Sequence, residues 1–198
     1  MVQLINQNYE YNKKLYNKVE TELRKLFNKS TPINHVGSTA IPNIVGKNII
    51  DVLVGATDKE QFDKYAIILS NNGFFPSYNS KTDIYQFFAS KQEETGSGDV
   101  HIHLVVIDTE RYNEFLILKQ YLLQNPHEAQ AYSNHKQLIL QQNLDRKTYR
   151  SVKVNMYQHL SLVPKNISQN NKKKHLFKRC FFILKLRYSN FCQYMLKY

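Results

Sequence analysis

A chain of 198 residues that is 42% hydrophobic and 13% aromatic can enclose one core of ordinary size, which excludes global disorder. Its formal charge of +11 is unevenly placed: all 16 acidic residues lie at or before Asp145, whereas residues 146–198 carry 13 of the 27 Lys and Arg and no acid. The nearly neutral body therefore does not read as a nucleic-acid binder along its whole length, and no apolar run nears the roughly 18 residues that crossing a bilayer needs.

In chain order, the opening MVQLINQNYEYNKK has no apolar h-region, so a reducing cytoplasm is the expected setting. Cys180 and Cys192 suggest neither a disulfide framework nor a metal spacing. Leu15, Val19, Leu23, Leu26 and Phe27 recur at three- and four-residue steps, which predicts an amphipathic helix over 9–28. A strand over Ile33–Val36 and a turn at Gly37-Ser38 follow. Asn48–Val54 is apolar on both alternating faces apart from Asp51, the mark of a central strand covered on both sides. Residues 59–72 predict a helix that Gly73 stops. Ile84–Ala89 and Val100–Ile107 predict two paired strands around the polar loop Lys91–Gly98. A helix capped by Asp108 or Thr109 should run to about Gln124 and break at Pro126, with further helices over 127–142 and 146–162. The fold class is α+β: a small mixed sheet early, helices accumulating late.

Three features could carry chemistry. Gly37-Ser38-Thr39 could expose backbone N–H groups and a hydroxyl to a phosphate, or be a plain tight turn whose Ser38 or Thr39 caps a short helix. Asp51 in a central strand needs a cation or several donors, with Lys47 or a metal as candidates, unless it reaches solvent at the strand end. Asp99, His101 and His103 alternate with Val100, Ile102 and Leu104 and so share one strand face, where they could hold a phosphate or metal or form a solvated surface.

The string His35-Val-Gly-Ser-Thr-Ala-Ile-Pro42, then Gly46-Lys47 and Ile50-Asp51-Val52, resembles the opening motif of the GrpB (UPF0157) family. His101-Ile-His103 is similar to that family's His-Leu-His strand, and Tyr121-Leu122, Asn125-Pro126, Ala129, Tyr132 and Lys136 to its helices. Asp145-Arg146, Tyr149 and Lys153 resemble its closing pattern, so the match spans roughly 9–162. The family is similar to the nucleotidyltransferase superfamily, a small mixed sheet backed by helices. The resemblance implies that Gly37, Ser38 and Thr39 hold a nucleotide triphosphate and that Lys47, Lys136 and Lys153 neutralise it. It also implies Asp51 as a metal carboxylate for Mg²⁺ or Mn²⁺, with His101 or His103 beside it in a catalytic cluster. The sequence departs from the superfamily at Leu53, where a second acid is usual, and from the family at Lys119, where arginine is usual.

The expected organisation is a GrpB-type nucleotidyltransferase-like domain over 1–163 and a basic, aromatic tail over 164–198. The expected function is binding of a nucleotide or phosphate ester, with nucleotidyl transfer to an unidentified acceptor or, alternatively, a binding module that has lost the chemistry. In the tail, apolar residues interleave with Lys and Arg from Lys172 onward, which suits an anionic membrane surface, RNA, or docking on the domain.

Overall fold

A seven-residue strand with a carboxylate near its start organises the computed structural model, which describes residues 4–77, 81–90 and 100–141. The elements are β1 (Ile5–Asn6), α1 (Tyr9–Leu26), β2 (Ile33–Val36), a single 3₁₀ turn (Ser38–Ala40), β3 (Val45–Gly46), β4 (Ile50–Ala56), α2 (Lys59–Asn71), β5 (Phe74–Ser77), β6 (Tyr85–Ser90), β7 (Val100–Val106), α3 (Glu110–Gln124) and α4 (Pro126–Gln141). Five strands form one sheet in the order β2-β4-β7-β6-β5, while β1 and β3 make a two-stranded ribbon. Only β4 and β7 run parallel; the chain leaves β4 and returns to its side through α2 and the β5–β6 hairpin.

The alternation of β4 decides which helices cover which face. Ile50, Val52, Val54 and Ala56 join Ile102 and Leu104 of β7 in a core under α1 and α2, with Tyr16, Leu23, Phe62, Tyr65 and Leu69. On the opposite face, Leu53 packs with Val36, Val105 and Tyr112, and α3 adds Phe115 and Leu116. Asp51 shares that second face, one pleat before Leu53. The helices start where short polar side chains accept backbone N–H bonds: Asn8 from Tyr11, Asp58 from Gln61 and Thr109 from Tyr112. The four helices α1 to α4 and the five-stranded sheet agree with the α+β class expected.

Several boundaries differ for identifiable reasons. β4 begins at Ile50, not Asn48, because Asn48 is left-handed (φ 54°) and turns the chain into the strand. The helix ahead of Pro126 ends at Gln124 as expected, and the next one starts at Pro126 itself, one residue earlier than expected, because a first-turn residue needs no N–H partner. The strand Phe74–Ser77 has no counterpart in the sequence reading, since Pro76 argues against a strand interior. It lies at the sheet edge, where a missing donor is tolerated. The loop Lys91–Gly98, Asp99, the helix expected over 146–162, Lys153 and the tail lie outside the described residues. Among the described residues, no helix is long and apolar enough to cross a membrane.

Leu53, at the position where the superfamily carries a second acid, has no exposed surface and is enclosed by Val36, Val105 and Tyr112. Leu53→Asp should cost at least about 3 kcal/mol in urea unfolding, because it places a carboxylate among the apolar side chains of Val36, Val105 and Tyr112. An unchanged midpoint would show that this face can accept a second acid.

Candidate functional site

Parallel pairing of β4 with β7 puts Asp51 opposite His101 and Leu53 opposite His103. Asp51 Oδ1 then lies 3.4 Å from His101 Nδ1 and 3.6 Å from His103 Nε2. The three side chains are partly open, at 25% exposure for Asp51, 25% for His101 and 15% for His103, so the cluster borders solvent. Burial alone pushes the Asp51 carboxyl up, but the two imidazoles outweigh it and hold the group well below the usual carboxylate range. Burial pushes His103 down, opposed by the Asp51 charge, so its imidazole is neutral near pH 7.

Residues that spacing did not single out complete the cluster. Tyr85 Oη is 3.0 Å from His103 Nδ1; with the Asp51 carboxylate facing Nε2, the ring proton belongs there and Nδ1 accepts from the phenol, whose pKa burial pushes up. Phe87 meets His101 and His103 edge-on at 4.8 and 5.5 Å between centroids, and Phe115 lies 4.6 Å from His103. Arg111 stacks over Tyr85 and Phe115, placing a cation beside the aromatic wall. The signal for Tyr85 and Phe87 was their alternation on β6; seeing that it faces the histidines requires the β6–β7 register, which sets Phe87 opposite His103.

The glycine turn backs directly onto Asp51. Gly37 has φ 75°, and a Cβ there would overlap Asp51 Oδ2 and stand 2.8 Å from Cγ. Gly46 is similarly close-packed: a Cβ would come within 2.9 Å of Ser38 Cβ. Lys47, the next residue, is half-buried and has interactions of its own. Thr39 is buried and faces inward: it donates to Ile49 O and accepts from the Nε2–H of His35. His35 stacks on Tyr16 with 4.5 Å between ring centroids. Thr39 thus pins the turn instead of offering its hydroxyl to a ligand, contrary to the expected role.

Lys136 also departs from its expected role. It is only 1% exposed, and its ammonium donates to Ser38 Oγ at 3.0 Å and to Val45 O, over the face of Tyr132. The helical spacing Ala129, Tyr132, Ser133, Lys136, Ile139 puts it on the inward face of α4, where Ser133 accepts from Val45 N. Lys136 therefore grips the turn and β3 from behind, and would act on a ligand through Ser38. Lys119 of α3 is half-buried, with burial lowering its basicity, and its charge helps depress His35.

The donor set around Asp51 does not match Mg²⁺, which wants six oxygens. Two nitrogens approach Oδ1, a glycine Cα lies against the carboxylate, and Leu53 replaces the nearest further acid. Among the described residues, no three His, Cys, Asp or Glu side chains form a group suited to a metal ion. The two imidazole nitrogens facing Asp51 thus do not supply the all-oxygen set that the expected Mg²⁺ site needs.

A family model described as "GrpB protein" matches residues 1–161. The UPF0157 protein VC_A0354 of Vibrio cholerae is 32% identical over 122 residues, which are 62% of this chain and 62% of that protein. YqkA of Bacillus subtilis is 26% identical over 57% of this chain and 32% of its own length. The chain thus spans less than two thirds of these curated relatives. Among solved structures, GrpB from Enterococcus faecalis superposes with a TM-score of 0.68 at 18% identity, over 85% of this chain and all of that one. That likeness shows the fold.

Gly37→Ala should lower stability by at least about 2 kcal/mol in urea unfolding, since the side chain meets both a left-handed backbone and the Asp51 carboxylate. An unshifted midpoint would contradict the close packing. Acid should destabilise the protein through His35, whose proton affinity burial and Lys119 lower from the ordinary 6.5 to about 4. Between those values the unfolded state binds the proton and the folded state does not. The His35 contribution is therefore complete above about pH 6.5 and falls by about 3 kcal/mol as pH drops toward 4. Melting curves across that window should be steep for the parent protein and flatter for His35→Gln; equal slopes would exclude His35 as the source.

Proposed function

The chain belongs to the GrpB family, and from that premise we propose that it binds a phosphate ester, a nucleotide above all, at the Gly37-Ser38 turn. The observation that carries the reading is the bond from the buried Lys136 ammonium to the partly exposed Ser38 hydroxyl. An ammonium has three donors and no acceptor, so Ser38 Oγ must accept from Lys136. Its own O–H is then left to donate outward, and Ser38 is partly exposed. A hydroxyl forced to be a donor, backed by a buried cation, selects an acceptor-rich anion. Lys47, Lys119 and Arg111 add positive charge near the turn or the adjoining cluster, which offsets the repulsion of Asp51.

A specific observation also favours the quieter alternative, a binding module without nucleotidyl transfer. Leu53 closes the second face with apolar surface, so the described sheet supplies Asp51 alone where several carboxylates would be needed to hold paired metal ions. The two readings share the binding step and separate on pyrophosphate release.

Thermal melts with nucleoside mono-, di- and triphosphates test the shared step. A ligand that binds the folded state raises the melting temperature with concentration. Ser38→Ala should weaken binding at least about tenfold, the loss expected of one charge-assisted contact, and should also lower the unliganded melt because buried Lys136 loses an acceptor, so the ligand-induced shift is read against the variant's own unliganded melt. No shift at millimolar nucleotide, or a shift indifferent to Ser38→Ala, would overturn the assignment.

A further inference from the structure

We propose that Asp51 and His101 form a proton-accepting dyad, with His101 Nε2 poised to take the proton of a hydroxyl or water that attacks the bound phosphate ester. The proposal rests on the phosphate-binding reading for its electrophile and on independent geometry for the base.

The two histidines differ in what their second nitrogen does. His103 is committed at both ends, with Nδ1 held by Tyr85 Oη at 3.0 Å and Nε2 turned to Asp51 at 3.6 Å. Its ring is packed by Phe87 and Phe115. His101 turns Nδ1 to Asp51 at 3.4 Å, and among the described residues no group bonds its Nε2. A carboxylate facing Nδ1 selects the tautomer with the proton there, leaving the Nε2 lone pair as the acceptor. The edge of Phe87 fixes the ring plane, and its 25% exposure lets a small nucleophile reach it. Such bonds are often loose before substrate arrives and tighten in the complex.

His103 and Tyr85 are positioning residues. The Asp51 carboxylate selects the His103 tautomer with its proton on Nε2, pointing at the same Oδ1 that faces His101, and Nδ1 then accepts from the Tyr85 phenol. Asp51 is therefore held from one side by a fixed donor and from the back by Gly37, whose lack of a side chain lets the carboxylate lie against the turn. Among the described residues, the other charged or titratable groups near the cluster include Arg111, Lys119 and His35.

In the reaction, the nucleophile's oxygen bonds to phosphorus as its O–H bond breaks and the proton passes to His101 Nε2. The imidazolium so formed is stabilised by the Asp51 carboxylate. The phosphorus–oxygen bond to the leaving group breaks with its electron pair on that oxygen, which takes up a proton from the imidazolium or from water. No redox partner is required, and the co-reactant is water or an alcohol hydroxyl.

The tautomer can be read on the unaltered protein by long-range ¹⁵N–¹H correlation at about pH 8, where free imidazole is neutral. His101 should show a protonated Nδ1 and a bare Nε2; a proton on Nε2 overturns the dyad. Carbethoxylation by diethylpyrocarbonate, located by mass spectrometry with exposed His127 as the internal standard, reads the same lone pair as reactivity. Asp51→Asn should slow modification of His101 at least fivefold relative to His127, and a saturating nucleotide should shield it. Equal rates in parent and variant would sink the proposal. His101→Gln should keep the nucleotide-dependent melting shift; if that shift vanishes, His101 is a binding residue and the dyad is wrong while the phosphate reading stands. If the parent protein shows no nucleotide shift, the phosphate reading fails, and the tautomer still judges the dyad alone.

Discussion

A single ionised carboxylate in the middle of the sheet sets the terms for everything around it. Taking an isolated carboxylate out of water costs several kcal/mol, so Asp51 is tolerable only where donors converge. The donors come from β7, which must run parallel to β4 in the register that sets Asp51 opposite His101. That pairing requires the long excursion through α2, β5 and β6. The same carboxylate needs room behind it, and only a residue without a side chain supplies that at Gly37. Strand order, the register of β7 and the glycine turn are thus three consequences of one charge.

The turn is anchored from two sides by buried polar pairs of opposite character. His35 and Thr39 form a neutral pair that ties it to β2 and to the approach of β4. Lys136 supplies a charge from α4, held by Ser38, Val45 O and the face of Tyr132. Replacing the neutral pair by apolar groups would mainly change packing. Removing Lys136 would leave Val45 O and Ser38 Oγ without a donor on that side and also withdraw the field behind the turn. Lys136 therefore holds the turn in shape from inside the fold, with almost no exposed surface of its own.

Much of the fold was legible because its signals are local. The helical spacing of α1 and α2, the cap at Thr109, the turn at Gly37 and the alternation of His101 and His103 depend on residues within a few positions of one another. What was not legible depends on pairing between distant segments. Pro76 reads as a strand breaker until the strand is known to lie at an edge. Tyr85 and Phe87 are ordinary aromatic strand residues until β6 is set against β7. Lys136 and Thr39 look like ligand contacts in a linear motif because the motif records which residues occur together, not which way they face. Both turn inward and hold the turn in shape.

The arrangement also explains why one acid is joined by two imidazoles instead of a second acid. An anionic ligand about 4 Å from Asp51 would be repelled by about 4 kcal/mol at the effective dielectric of a protein surface. A second carboxylate would add to that repulsion unless divalent cations neutralised it, and Leu53 closes that route with apolar surface. Imidazoles solve the problem differently. Each turns a ring nitrogen to Asp51 and adds no negative charge. An anion beside the cluster would therefore meet two rings that already face Asp51, not a second carboxylate. The aromatic wall of Phe87 and Phe115 excludes water from one side of the rings and strengthens that coupling. With one carboxylate answered by two rings and a lysine held behind the turn, the cluster carries no second negative charge, which is what the proposed phosphate site requires.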